Sequence, residues 1–122
     1  MLSPYVQATR NSSGVRRTMN IYISMSAIHG RGVFADEPLE AEDWQYVYGR
    51  EMPYIPGDLS ERYGFETDDD GMIFLPFAPW CFLNHSSDPN CEVFHEGSVV
   101  YVATLRSINR FEELTIDYGF QP

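Results

Sequence analysis

The chain has 122 residues and a mass of 14.0 kDa, and 43% of its residues are hydrophobic, which predicts one compact domain with a core of its own. It has no run of about 18 apolar residues and no charged start followed by an apolar stretch, so we expect neither a transmembrane helix nor a secretion signal. Eighteen acidic residues stand against eight arginines and no lysine, giving a net charge of −10. This charge disfavours nucleic acid and membranes as direct partners and favours cationic ones, although salt adaptation or genomic bias produces the same composition.

The predicted elements are mostly short strands. Residues 1–18 are polar and loosely patterned, which is typical of an N-terminal arm. Apolar, strand-like patterns predict strands at residues 21–25, 32–35, 44–48, 72–75, 91–95 and 98–105. Glu96-Gly97 predicts a hairpin turn, and Asp58 with Glu61 and the stop residue Gly64 predict one short helix. Eight prolines and nine glycines interrupt the rest, so we predict a mainly β fold with irregular loops.

Three local patterns resemble known binding sites, but each lacks a feature that the site requires. GRGVFA at residues 30–35 fits a dinucleotide fingerprint, but Pro38 spoils the helix that must follow. ETDDDG at residues 66–71 begins like a calcium loop, but its twelfth position is Phe77 rather than glutamate. Two C-x3-H pairs could hold zinc, yet ligands four residues apart on a strand lie too far from each other to share a metal. The pairs are Cys81 with His85 and Cys91 with His95. We therefore expect no metal, and two cysteines that remain thiols.

Three separated motifs carry the most specific pattern. They are IHGRGVFA at residues 28–35, FLNHSSDPNC at 82–91 and EELTIDYG at 112–119. In this order and spacing the chain resembles the SET domain of protein lysine methyltransferases, which places a SET domain at residues 19–122 with a variable insert at 44–80. The resemblance implies several small curled sheets of the β-clip type, short helices, and a C-terminal segment threaded through a loop near the second motif.

The resemblance also implies S-adenosylmethionine as cofactor, with the substrate lysine entering from the opposite face. Gly30 and Gly32 would let the backbone close on the methionine end of the cofactor, where a Cβ would collide. Arg31 would reach its carboxylate, and Asn84 and His85 would contact its amino and adenine parts. The segment Asp88-Pro89-Asn90 is a rigid supporting turn under this interpretation.

Tyr118 is the predicted catalytic residue, because methyl transfer is a direct displacement in which a phenol oxygen can orient the methyl group and the amine. An aromatic channel would desolvate the lysine, lower its pKa and accept the methylated product. The candidates for its walls are Tyr46, Tyr48, Phe82, Ile116 and Phe120. Ile116 has no hydroxyl, which leaves room for more than one methyl group.

The chain departs from the family pattern at several positions. Cys81 stands where an arginine is common, and Glu42 and Phe111 stand where turn glycines are usual. The family's cysteine-rich C-terminal tail has no counterpart, so we expect Phe120 and the N-terminal arm, or a second copy of the chain in a homodimer, to complete the site. The resulting hypothesis is an intracellular lysine methyltransferase, cytoplasmic or nuclear, that acts on a basic protein such as a histone-like tail. The alternative is a catalytically silent module that binds basic peptides.

Overall fold

The protein is described by a computed structural model at residues 19–54, 64–66, 71–96 and 99–118. The predicted arm, the predicted helix that starts at Asp58 and the channel candidate Phe120 lie outside these residues. Within them, the chain forms ten strands and one short 3-10 helix, at Trp80–Phe82. The strands are β1 Ile21–Met25, β2 Arg31–Ala35, β3 Trp44–Tyr46, β4 Gly49–Pro53, β5 Phe65–Glu66, β6 Met72–Pro76, β7 Asn84–His85, β8 Cys91–Glu96, β9 Val99–Thr104 and β10 Glu113–Ile116. The predicted mainly β fold is confirmed.

The strands form three small sheets with the orders β1-β2-β10-β7, β3-β9-β8 and β4-β6-β5. All pairs are antiparallel except β10 with β7. The predicted β8–β9 hairpin is present, with Glu96 opposite Val99. Strand β3 is shorter than predicted, since Val47 and Tyr48 lie beyond its end, and β4, β5, β7 and β10 were not predicted as strands. No helix in the described part of the chain is long and apolar enough to cross a bilayer.

The core lies between the first two sheets and is made mainly of aliphatic side chains. Val33, Leu114 and Val102 are completely buried, and each such side chain contributes about 1.5–3 kcal/mol of hydrophobic stabilisation. A smaller aromatic cluster of Trp44 and Tyr101 packs on the other face of the β3-β9-β8 sheet, because successive residues of a strand point to opposite faces. The core thereby fixes the sheet β1-β2-β10-β7, in which the candidate site is found.

Candidate active site

The three sequence motifs meet in one sheet. Strand β10 of the third motif pairs antiparallel with β2 of the first motif, with Leu114 opposite Val33. On its other edge β10 pairs in parallel with β7 of the second motif, where Thr115 faces Asn84 and Ile116 faces His85. Strand β10 is therefore adjacent to segments that lie about 80 and about 30 residues earlier in the sequence.

A tight turn joins β1 to β2 and carries the predicted glycines. Gly30 has a φ of +48°, a left-handed conformation that glycine adopts without the steric cost of a Cβ. Nothing lies within 4 Å of the position of a Cβ at Gly30, so the space beside it is open. Gly32 differs, because a Cβ there would overlap the carboxylate of Glu113. The side chain of Arg31 is exposed at the end of the turn.

Asn84 connects this turn to the centre of the sheet. Its side chain is 6% exposed, and Nδ2 donates to the backbone oxygens of His29 and Arg31 at 3.0 Å each and to Oε2 of Glu113 at 2.8 Å. An amide nitrogen has only two hydrogens, so these three acceptors share them. The Asn84 side chain thus fixes the backbone of the glycine turn.

The loop after β7 is fastened to β10 by one side chain. The buried Asn90 accepts a hydrogen bond from the Thr115 backbone N–H at 2.8 Å and donates to the Glu113 carbonyl at 2.8 Å, as a neighbouring strand would. The Ser86 backbone N–H also donates to the Ile116 carbonyl at 2.9 Å. These bonds hold the last strand against the 84–90 loop and are consistent with the supporting role predicted for Asn90.

Tyr118 follows β10 and contacts the second motif at two points. Its hydroxyl donates to the Leu83 carbonyl at 2.6 Å, and its backbone N–H donates to Nδ1 of His85 at 3.0 Å. The two rings lie 5.2 Å apart. Since Nδ1 accepts a hydrogen bond, a neutral His85 carries its proton on Nε2. The phenol donates its only proton to a backbone oxygen, which fixes the direction of the hydroxyl.

A cavity of about 820 Å³ lies beside Tyr118, which is within the size range of ligand pockets. Ile116, Leu83 and Tyr118 contribute from the site, and Tyr54 and Phe65 from the β4-β6-β5 region. Both cysteines also line this cavity, together with the acidic side chains of Glu92 and Asp117. The cavity is thus partly aromatic and carries negative charge at its wall.

The cysteines of the two C-x3-H pairs are both free thiols with raised pKa values. Cys91 is completely buried, and burial raises the pKa of its thiol to about 12, against a smaller lowering effect of Arg106. Burial also raises the pKa of Cys81. The raised pKa values favour the protonated thiols at neutral pH. Among the described residues, no three His, Cys, Asp or Glu side chains are grouped to hold a metal ion.

The structure separates the predicted channel residues into three groups. Ile116 lines the cavity with Tyr118, whereas Tyr46 and Tyr48 line another cavity of about 290 Å³. Tyr46 packs on the edge of Trp44 at 4.9 Å between ring centroids, and Tyr48 is mostly exposed. Phe82 packs against the main core.

Tyr54, Phe65 and Glu113 were not predicted as site residues from the sequence. The first two lie in the region expected to be a variable insert, where no motif marks them, and their place at the cavity depends on the pairing of β4 and β5 with β6. Glu113 belongs to the third motif, and its place in that motif was the sequence signal that could have marked it as a site residue.

The chain matches one family model, that of the SET domain, over residues 30–119. It is 31% identical over 123 aligned positions to an H3 lysine-4 specific histone-lysine N-methyltransferase of Aspergillus oryzae, covering 87% of this chain and 10% of that protein. It is 33% identical over 121 positions to the histone-lysine N-methyltransferase set1 of Dictyostelium discoideum, covering 85% of this chain and 8% of that protein. The chain thus spans about a tenth of the length of these relatives.

Two solved structures share the fold. One is a candidate histone methyltransferase of Plasmodium falciparum, with a TM-score of 0.71, 25% identity and coverage of 86% of this chain and 97% of that one. The other is KRYPTONITE in complex with methylated DNA, a peptide of histone H3 and S-adenosylhomocysteine (SAH). It has a TM-score of 0.69, 24% identity and coverage of 89% of this chain and 25% of that one.

Proposed function

The chain belongs to the SET-domain family, and from this premise we propose that it transfers methyl groups from S-adenosylmethionine to the side-chain amine of lysine in a protein substrate. The observation that carries the proposal is the meeting of the glycine turn, the Asn84-His85 pair and Tyr118 in one sheet, beside a cavity lined by Tyr118. The pairing of these three segments in one sheet places their side chains where they can serve one ligand site.

The residues present fit a sulfonium cofactor with an amino-acid end. The open space beside the left-handed Gly30 admits a ligand against the backbone, and the exposed Arg31 offers a guanidinium that suits a carboxylate. We assign the binding of the cofactor to Gly30, Arg31, Gly32, Asn84 and His85. For Asn84 the contribution of the side chain is indirect, because its Nδ2 atom already fixes the turn. When bound, the cofactor supplies a polarised methyl group that an amine can displace.

Tyr118 is suited to orient that displacement. Donation to the Leu83 carbonyl fixes the direction of the hydroxyl, so the phenol oxygen presents its lone pairs at a defined place. Such an oxygen accepts weak C–H hydrogen bonds and bonds from an amine. Alignment of this kind contributes a large part of the rate in a direct displacement.

The cavity has properties that suit a lysine from a basic peptide. Ile116 and Leu83 are apolar, and desolvation against them lowers the pKa of a lysine and favours the neutral, nucleophilic amine. Tyr54 and Phe65 also line the cavity, and aromatic rings can accept the methylated ammonium. Glu92 and Asp117, with the overall charge of −10, attract basic sequences. The relatives named as H3 lysine-4 specific support a histone-like tail as substrate, and therefore a nuclear or cytoplasmic site of action.

The test has two steps, binding and transfer. Calorimetric titration of the purified chain with SAH is expected to give one site. Incubation with S-adenosylmethionine and H3 peptides, followed by mass spectrometry, is expected to show added methyl groups. Binding of basic peptides without cofactor binding or added mass would replace the proposal with the silent module. Light scattering with and without SAH tests whether a second copy completes the site.

A pair of matched tyrosine variants tests the role of Tyr118. We expect Tyr118→Phe to lower the transfer rate by on the order of a hundredfold or more while SAH affinity changes little. Tyr101→Phe is the control, because Tyr101 is 2% exposed in the aromatic cluster and its hydroxyl has no hydrogen-bond partner among the described residues. Tyr101→Phe should keep full activity. Equal activity of the two variants would remove Tyr118 from the mechanism.

Ile116 is proposed to set the number of methyl groups. It lines the cavity next to Tyr118 and brings no hydroxyl, so its surroundings leave room for an amine that already carries a methyl group. Ile116→Tyr adds bulk and a hydrogen-bonding group at this position. We expect it to lower the ratio of di- and trimethylated to monomethylated peptide in a mass spectrum, and an unchanged ratio would contradict this assignment.

A further inference from the structure

One carboxylate, that of Glu113, touches every element that surrounds the glycine turn. Its Oε1 and Oε2 atoms accept the Ser26 hydroxyl at 2.7 and 2.9 Å, and Oε2 accepts the Asn84 amide at 2.8 Å. The carboxylate also fills the space in which a Cβ of residue 32 would lie, with Cδ 2.8 Å from that position. Glu113 thus lies in contact with the end of β1, with β2 and with β7, while its own backbone belongs to β10.

The two partners of Glu113 hold the backbone of the turn. Ser26 Oγ accepts the backbone N–H groups of Ile28 at 2.9 Å and His29 at 3.4 Å, and the Ser26 N–H donates to the Gly30 carbonyl at 2.8 Å. A serine hydroxyl has one proton and two lone pairs. Since Glu113 takes the proton, both lone pairs are left for the turn.

A carboxylate suits this position better than any neutral side chain of the same size. Both neighbours, the Ser26 hydroxyl and the Asn84 amide, donate to it, and a carboxylate only accepts. A glutamine oxygen at the place of Oε2 could still accept both donors, but the NH2 group at the place of Oε1 would lie against Ser26 Oγ. It would compete with the Ile28 and His29 N–H groups for the lone pairs of Ser26, which weakens the hydrogen bonds of the turn.

The same contact gives a reason for Gly32 that differs from the sequence prediction. The sequence analysis expected a glycine here to make room for the cofactor. The structure shows the position of its missing side chain filled by Glu113, from within the protein. Gly32 and Glu113 are therefore complementary in volume.

We infer that Glu113 is a positioning residue that holds the turn from Ser26 to Gly32 in the shape that binds the cofactor. The identity of the ligand in this inference rests on the proposed function. The conformation of the turn, in contrast, can be measured without any ligand. In this role Glu113 acts through Ser26 and Asn84.

The first experiment measures amide hydrogen exchange in the cofactor-free protein. Glu113→Gln should increase exchange of the Ser26 and Ile28 amides by about tenfold, which corresponds to one lost hydrogen bond. The matched control is Glu112→Gln, since Glu112 is the adjacent residue and its carboxylate binds Asn109, Arg106 and Asn90 rather than the turn. Exchange at the turn that is equal in both variants would overturn the inference.

The second experiment titrates SAH. We expect Glu113→Gln to weaken its affinity by about tenfold and to raise KM for S-adenosylmethionine while kcat at saturation stays within a few-fold of the original. A general loss of structure would lower kcat instead. If Glu113→Gln does not fold, Ser26→Ala removes the same bridge from the other side and should show the same changes to a smaller extent.

The third experiment is a double-mutant cycle with Gly32. Gly32→Ala alone should weaken SAH binding by at least about tenfold, because its Cβ collides with Glu113. In the background of Glu113→Ala the same change should cost less than about twofold, since the space is then free. A tenfold cost in both backgrounds would mean that the cofactor itself requires Gly32.

These outcomes separate the inference from the proposed function. If the unmodified chain does not bind SAH, the proposed function fails, and the exchange experiment alone decides whether Glu113 holds the turn. If the chain binds SAH and Glu113→Gln binds it equally well, the inference fails and the proposed function stands.

Discussion

Two turns of the molecule have the same internal structure but lead to different sheets. Residues 39–43 precede β3 and residues 108–112 precede β10, and the first residues of the two turns, Leu39 and Ile108, pair through N–H to O bonds of 2.8 and 2.9 Å. In each turn an acidic side chain accepts the backbone N–H three residues earlier, from Glu40 to Asp43 at 3.0 Å and from Asn109 to Glu112 at 3.1 Å. The repeated turn therefore supports the scaffold sheet in one place and the candidate site in the other.

The two turns differ in the side chain that fastens them. The first turn is held by Thr104, whose hydroxyl is buried, donates to the Glu40 carbonyl and accepts the Asp43 N–H at 3.0 Å. The second turn is held by Asn90, which bonds the Glu112 side chain and two backbone groups on one edge of β10, the Glu113 carbonyl and the Thr115 N–H. The Asn90 side chain is longer than that of Thr104, and its amide carries a donor and an acceptor that both bind β10. It therefore couples the second turn to the loop of the second motif. The second turn is thus linked to the candidate site because the residue that holds it, Asn90, belongs to the loop of the second motif. The first turn is held by Thr104 of β9 and has no such link.

Removing the two fastening residues is the strongest way to break this comparison. Asn90→Ala loses two buried hydrogen bonds to β10 and should lower the free energy of unfolding by about 2–3 kcal/mol, and Thr104→Val by about 1–2 kcal/mol. Urea unfolding measures both.

Activity distinguishes the two variants. At temperatures where both remain folded, Asn90→Ala should lose methyl transfer, because β10 leads to Tyr118, whereas Thr104→Val should keep it. Loss of activity to the same extent in both would show that the second turn has no special link to the site.

A second feature shared by the two turns is backbone strain. Glu42 has a φ of +68° and Phe111 a φ of +75°, a left-handed conformation that costs a residue with a Cβ about 1–2 kcal/mol. At both positions a turn glycine is expected from the sequence resemblance described above.

Glycine at either position is expected to stabilise the protein. Glu42→Gly should raise the free energy of unfolding by about 1 kcal/mol, after the larger entropy loss of glycine is counted. Phe111→Gly should raise it less, since it gives up the contact of the Phe111 ring with Arg110, whose guanidinium lies 4.6 Å above the ring centroid. Thermal unfolding of both variants measures which of the two substitutions stabilises the protein more. A lower melting temperature in both would contradict the strain argument.

The sequence predicted the parts of the fold that local pattern controls. Alternation predicted β1 and β8 with their observed limits to within one residue. It did not predict β5 and β7, because two-residue strands exist only through their partners. Nor did it predict β4, since Gly49, Arg50, Glu51 and Pro53 are not typical of a strand interior.

The same limit applies to the candidate site. The motifs identified the segments that meet, because their residues were specific in type and spacing. The channel residues were harder, since the wall of a cavity depends on which face of a strand points inward. Tyr46 lies on the Trp44 side of the β3-β9-β8 sheet, away from Tyr118, whereas Tyr54 reaches the cavity from an unmatched region. No local pattern distinguishes these tyrosines.

The smallest effect we expect is a pH dependence of the free energy of unfolding that comes from Glu112 in the second turn. Burial alone would raise the pKa of Glu112, but hydrogen bonds from the Asn109 backbone, Arg106 and Asn90, with the charge of Arg106, together lower it below 4.5. A carboxyl group whose pKa is lower in the folded state contributes stability above its unfolded pKa, and this stability is lost as the pH falls through the folded value.

Glu112→Gln should therefore reduce the free energy of unfolding at pH 7, and by less as the pH falls and the Glu112 carboxylate becomes protonated. The difference should be below about 1 kcal/mol, because the ion pair with Arg106 is partly exposed. Urea unfolding at pH 7, 4 and 2 measures it, with Asp36→Asn as a control for the exposed ion pair to Arg110. A constant difference at all three pH values would place the effect in packing, and the second turn would then owe its stability to shape alone.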